Sequence, residues 1–86
     1  MNKLYEIKQT DSQKIKDLKQ SYQNIETALY ENGQSKFTYF DEAFKNSPTK
    51  DQDYLIKTMS SISKYTENSI SNLEQSFMYA EKTLNF

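Results

Sequence analysis

Apolar residues return at intervals of three and four along most of this 86-residue chain, and that spacing admits little except long amphipathic helices. In the first third they fall at Leu4, Ile7, Ile15, Leu18, Tyr22, Ile25 and Leu29, with a gap at Asp11. From Ile15 to Leu29 the steps alternate three and four as in a coiled-coil seam, but so short a seam needs a second helix packed on it. The second stripe is longer: Leu55, Met59, Ile62, Thr66, Ile70, Leu73, Phe77, Ala80 and Leu84. No stretch shows the strict alternation of a strand. The only glycine, Gly33, and the only proline, Pro48, both fall between the two stripes.

These punctuators set the expected boundaries. Thr10 with Gln13 forms a capping box, so the first helix begins near Asp11, or near Lys3 if Leu4 and Ile7 belong to it. Asn32–Gly33 follows the last periodic residue and reads as a glycine terminator, ending a helix over 11–31. Phe37, Tyr39, Phe40 and Phe44 then form an aromatic connection, with Thr38 and Asp41 as a weaker cap for a short helix over 39–46 that plugs the hairpin turn. Ser47 followed by Pro48 reads as a cap with proline in the first helical position. Asp51 and Asp53 suit the dipole of a helix over 48–84. The expected fold is all-α: a single domain over 1–86, built as a long antiparallel helical hairpin with a short aromatic connecting helix.

Composition narrows function by exclusion. There is no cysteine and no histidine, which removes disulfides, thiolate chemistry, the usual zinc ligands and the usual general base. No nucleophile–base pair assembles from the remaining residues, so the expectation is a non-enzyme with no catalytic residues, metal or cofactor. Glu67, Glu74 and Glu81 recur at seven, yet they lie off the apolar stripe and read as a solvated row. All 11 cations are lysine against 12 carboxylates, a net charge of −1 that favours neither nucleic acid nor an anionic membrane. Lys14, Lys16 and Lys19 cluster, but Asp11 and Asp17 sit among them. No run reaches membrane-spanning length and no secretory signal precedes Leu4. The expectation is a chain made in the cytoplasm, with any export following a route that needs no cleavable signal.

Rotating the second helix by about 100° per residue, with Tyr54 at zero, separates three faces. The apolar stripe covers roughly 80–160° and the charges roughly 180–300°. The remaining arc holds Tyr54, Thr58, Ser61, Tyr65, Asn72, Tyr79 and Thr83, all uncharged. One neighbouring helix covers an arc of about 100–140°, whereas uncharged residues span about 180°. Either serine, threonine and asparagine decorate an exposed face while the tyrosines lean onto the hairpin or the aromatic patch, or the arc is a contact face for another protein, since tyrosine is enriched and Lys and Glu are depleted at interfaces.

The Asn32–Gly33 break between two long amphipathic segments, and a Ser/Thr/Asn-rich second helix that includes Ser69-Ile70-Ser71-Asn72-Leu73, resemble the WXG-type helical hairpins of type VII secretion in Gram-positive bacteria. More narrowly, they resemble the LXG-associated helical proteins encoded beside toxins of that system. Phe37 and Asp41 match the Phe-x-x-x-Asp motif of some relatives, and Phe77 with Glu81 is a near match closer to the C-terminus. The Trp-x-Gly hairpin signature and the Tyr-x-x-x-Asp export signal are not present. The resemblance implies a non-catalytic, chaperone-like targeting factor that binds the helical domain of a toxin and completes its bundle. Two other classes fit the same architecture: an immunity or antitoxin protein that neutralises a toxin by direct binding, and a self-associating homodimeric bundle.

Overall fold

The computed structural model describes residues 2–86, and these form two long antiparallel helices with no strand among them. Helix α1 spans Gln13–Lys45 and helix α2 spans Thr49–Leu84, 33 and 36 residues respectively. At 1.5 Å per residue they run about 50 and 54 Å, and they lie side by side in a rod of 57 × 19 × 14 Å. No helix of the described residues is long and apolar enough to cross a membrane.

Helix α2 follows its stripe. Leu55, Ile70 and Phe77 are buried, and Met59, Ile62, Thr66, Leu73 and Ala80 are half-buried against α1. Its start lies one residue beyond the expected one, because Ser47 does not cap it. The Ser47 hydroxyl donates back to the Ala43 carbonyl, and Pro48 takes the flanking position with extended backbone. Asp51, in the first turn, supplies the negative charge that the helix N-terminus favours.

Helix α1 departs from expectation at its middle. The chain does not break at Asn32–Gly33, and no separate helix forms over 39–46; a single helix carries the aromatic segment to Lys45. Gly33 has no positive φ and so does not act as a terminator. It is buried against α2, where a Cβ would lie 2.5 Å from Thr66 Oγ1 and 3.0 Å from Thr66 Cγ2. The glycine is needed for its missing side chain, which lets two helical backbones approach. Thr38 and Asp41, taken as a cap, lie inside the helix, and Asp41 pairs with Lys45 at 3.2 Å. Phe40 and Phe44 are half-buried near the turn, so the aromatic plug is built on α1 itself.

The N-terminal residues neither extend α1 nor use the Thr10–Gln13 box. Ser12 caps α1, its Oγ accepting from the Ile15 N–H at 3.3 Å, while the Gln13 amide donates to Asp17. Upstream, the chain folds back antiparallel to α1 as a strap containing a 3-10 turn at Lys3–Tyr5. Lys19 Nζ donates to the Glu6 carbonyl at 2.9 Å and to Asp11 at 2.7 Å, and Gln23 donates to the Tyr5 carbonyl at 2.6 Å. At the far end, Asn2 Nδ2 donates to Glu26 and Glu74, both at 3.1 Å, so one amide joins the strap to both helices. Lys19 and Glu26 are therefore buried polar groups with partners, as buried polar groups must be. The hydrogen bond from Lys19, reinforced by the Lys8 N–H, holds the Asp11 carboxyl below its ordinary value.

The strap seats Tyr5 against Tyr22 and Phe77, with ring centroids at 5.7 and 5.0 Å, and Tyr22 meets Phe77 at 5.3 Å. The Tyr5 hydroxyl is buried without a hydrogen-bond partner among the described residues, and burial, followed by the charges of Glu26 and Glu74, pushes its pKa up to about 12. Tyr5→Phe keeps the ring and deletes the orphaned oxygen. It is expected to leave stability unchanged or raise it by about 1 kcal/mol, read by calorimetric melting; a clear loss would mean that the hydroxyl has a partner.

The hairpin is short of cover. Its accessible surface is 6627 Å², against about 5,300 Å² for a folded monomer of this mass. Its radius of gyration is 17.6 Å, against about 12 Å for a compact domain of equal length.

Candidate protein-binding face

The strap covers one side of the groove between α1 and α2, the side carrying Glu26 and Glu74. The opposite side is open. There the residues singled out by rotation stand together along α2: Tyr54, Ser61, Tyr65, Asn72, Tyr79 and Thr83 are exposed and Thr58 is half-buried. Tyr54, Tyr65 and Tyr79 are 69%, 68% and 71% exposed, so these rings stand mostly clear of the hairpin, Tyr65 meeting α1 only at its edge.

This face is less polar than its sequence suggests. Thr58 Oγ1 donates to the Tyr54 carbonyl at 2.9 Å and Thr83 Oγ1 to the Tyr79 carbonyl at 3.1 Å, which turns both hydroxyls inward onto the helix. The Tyr22 hydroxyl and Ser76 Oγ share a hydrogen bond of 2.7 Å that pins the two helices at the edge of the face. Helix α1 contributes Leu29 and, one turn earlier, Ile25, which the stripe placed in the core but which is 45% exposed. Where Gly33 meets Thr66 the surface dips into a hollow of about 170 Å³ lined by Leu29, Lys36, Ile62, Tyr65 and Ser69. A second hollow of about 320 Å³, lined by Tyr30, Phe37, Ile62 and Glu67, lies on the other side of the same contact. One glycine thus makes a waist with a depression on each side.

Comparison of the chain with protein-family models, curated proteins and solved structures gives no match. The face is therefore read from its own residues.

The motif residues separate. Phe37 is partly exposed in the larger hollow, while Asp41 is occupied by Lys45. Phe77 is fully buried in the three-ring cluster and Glu81 is half-buried, so the C-terminal pair offers no exposed aromatic ring for a receptor to read. The row of Glu67, Glu74 and Glu81 is not wholly solvated, since Glu74 anchors Asn2. Sequence reasoning missed Asn2, Tyr5, Lys19 and Glu26. The available signal was a lysine and a glutamate four and eleven residues after Ile15, on the inward face of α1, where a charge persists only with a partner.

Proposed function

We propose that the chain is a non-catalytic helical binding partner, a targeting factor that completes the helical bundle of an LXG-type toxin for type VII secretion. The observation that carries this reading is the open side of the hairpin: three tyrosines about two-thirds exposed, with Leu29 and Ile25 beside them, on a molecule with excess surface for its mass. Two helices bury one groove from one side only, and one or two further helices are what a bundle adds. Tyrosine supplies large contact area at small entropic loss. The long rigid rod also suits side-by-side packing against a helical domain rather than insertion into an enzyme cleft, which favours the targeting reading over the immunity reading.

The test is titration calorimetry of the purified chain against the N-terminal helical domain of the toxin encoded next to it. A saturable complex of one to one or two to two is expected. Tyr65→Ala, at the centre of the face, should weaken that complex by about 2 kcal/mol or more. No heat and no co-elution with that domain would end the reading.

A further inference from the structure

The charges of α2 are sorted by sign around the helix. At about 100° per residue, with Tyr54 at zero, Lys57, Lys64 and Lys82 fall at roughly 280–300°, beside the tyrosine face, whereas Glu67, Glu74 and Glu81 fall at roughly 180–220°. Two contacts support this sorting: Lys82 Nζ lies 5.8 Å from the centroid of the Tyr79 ring, and Glu74 bonds Asn2 of the strap on the far side. Helix α1 follows the pattern only in part, since Lys19 lies on the strap side, paired with Asp11. Lys36 lines the hollow beside Tyr65, while Glu26 and Glu31 line a hollow beside Asn2. Apart from Asp51 and Asp53 at the turn, the outer border of the tyrosine face on α2 carries lysine, and Lys36 stands on the α1 side.

Resting on the binding role proposed above, we infer that the occupant of this face is an amphipathic helix whose apolar stripe is flanked by aspartate and glutamate. Lysine ammonium groups on both borders attract carboxylates there and repel a basic helix, which fixes the choice and register of the partner. A second copy of this chain is a poor occupant. Two-fold pairing through this face would set the row of Lys57, Lys64 and Lys82 either against the same row of the other copy or against its α1 border, where Lys36 stands. The face is long enough for the role: a helix of about 28 residues covers roughly 40 Å, within the 57 Å of the hairpin.

The test uses the full chain, labelled with ¹⁵N, and two synthetic helices of about 28 residues that share one Leu/Ile stripe but carry only Glu or only Lys in the flanking positions. At low salt the Glu-flanked helix should bind at least about 10-fold tighter, as a few exposed ion pairs together permit. Its amide shifts should map to Tyr54–Thr83 and Leu29–Lys36. The variant Lys64→Glu/Lys82→Glu, with unchanged melting temperature, should reverse the preference. Equal binding, a preference for Lys, shifts confined to the strap side, or no binding of either helix would overturn the assignment. So would dimerisation of the free chain by light scattering, or retention on phosphatidylserine vesicles that the same reversal abolishes. If the toxin domain binds while the helices show no charge preference, only this assignment falls. If the toxin domain fails to bind while the preference holds, the secretion role falls and the acidic-helix site stands.

Discussion

Phe77→Ala should lower the melting temperature of the free chain by more than about 10 °C. Phe77 is fully buried and makes edge contacts with Tyr5 at 5.0 Å and Tyr22 at 5.3 Å, so its ring joins α2, α1 and the strap at one point. Few other apolar side chains share the load, since only Tyr5, Ile15, Leu55 and Ile70 are also buried among the described residues. Deleting a buried phenyl ring costs about 3–5 kcal/mol through lost transfer energy and a cavity. In a domain of this size each kcal/mol moves the midpoint by about 4–8 °C. Phe77→Leu, which fills most of the volume but loses the edge contacts, should cost about 1–1.5 kcal/mol. Differential scanning calorimetry measures both. Equal effects from the two substitutions would show that ring geometry, rather than volume, holds the cluster.

A side chain at position 33 should pry the helices apart. In a helix interior, alanine outperforms glycine by about 1 kcal/mol, so Gly33→Ala would stabilise an isolated helix. Here the new methyl would stand 2.5 Å from Thr66 Oγ1 and 3.0 Å from its Cγ2. Rotating the β-branched side chain exchanges one heavy atom for the other, and Oγ1 is also bonded to the Ile62 carbonyl at 2.8 Å. Overpacking costs about 1–3 kcal/mol, which exceeds the propensity gain over most of its range, and Gly33→Leu should reach the upper end at about 3 kcal/mol. Thr66→Ala should rescue Gly33→Ala, because what remains opposite is a Cβ 3.3 Å away. Denaturant melts of the two single variants and the double variant form the cycle that isolates this contact. Additive effects would place the cost elsewhere.

The same glycine explains what the sequence made legible and what it did not. Helix α2 could be read because its stripe is unbroken from Leu55 to Leu84 and Pro48 marks its start. The tyrosine face followed from the same periodicity, which is a local property. Gly33 misled because a glycine permits two opposite uses, ending a helix by left-handed backbone or thinning it for close packing. The residue that decides between them, Thr66, lies on the other helix. Once the break at Gly33 is removed, the aromatic residues from Phe37 to Phe44 need no element of their own. The strap was hidden for a related reason: Tyr5 lies in no periodic segment, and Lys19 and Glu26 look like surface residues until Asp11 and Asn2 are placed beside them. Ile25 met the stripe rule and yet lies on the open face, which the two-helix arrangement alone leaves uncovered.

The central claim is that one face of α2 folds the chain and another is kept for a partner. The most direct measurement is the calorimetric melting of free Tyr65→Ala beside free Phe77→Ala. Tyr65 is 68% exposed and Phe77 fully buried, so Tyr65→Ala should change stability by no more than about 0.5 kcal/mol, as surface substitutions do. Its effect should appear only when the partner helix is added. A Tyr65→Ala chain that melts as early as Phe77→Ala would contradict the account, because the tyrosine face would then belong to the core of the free protein.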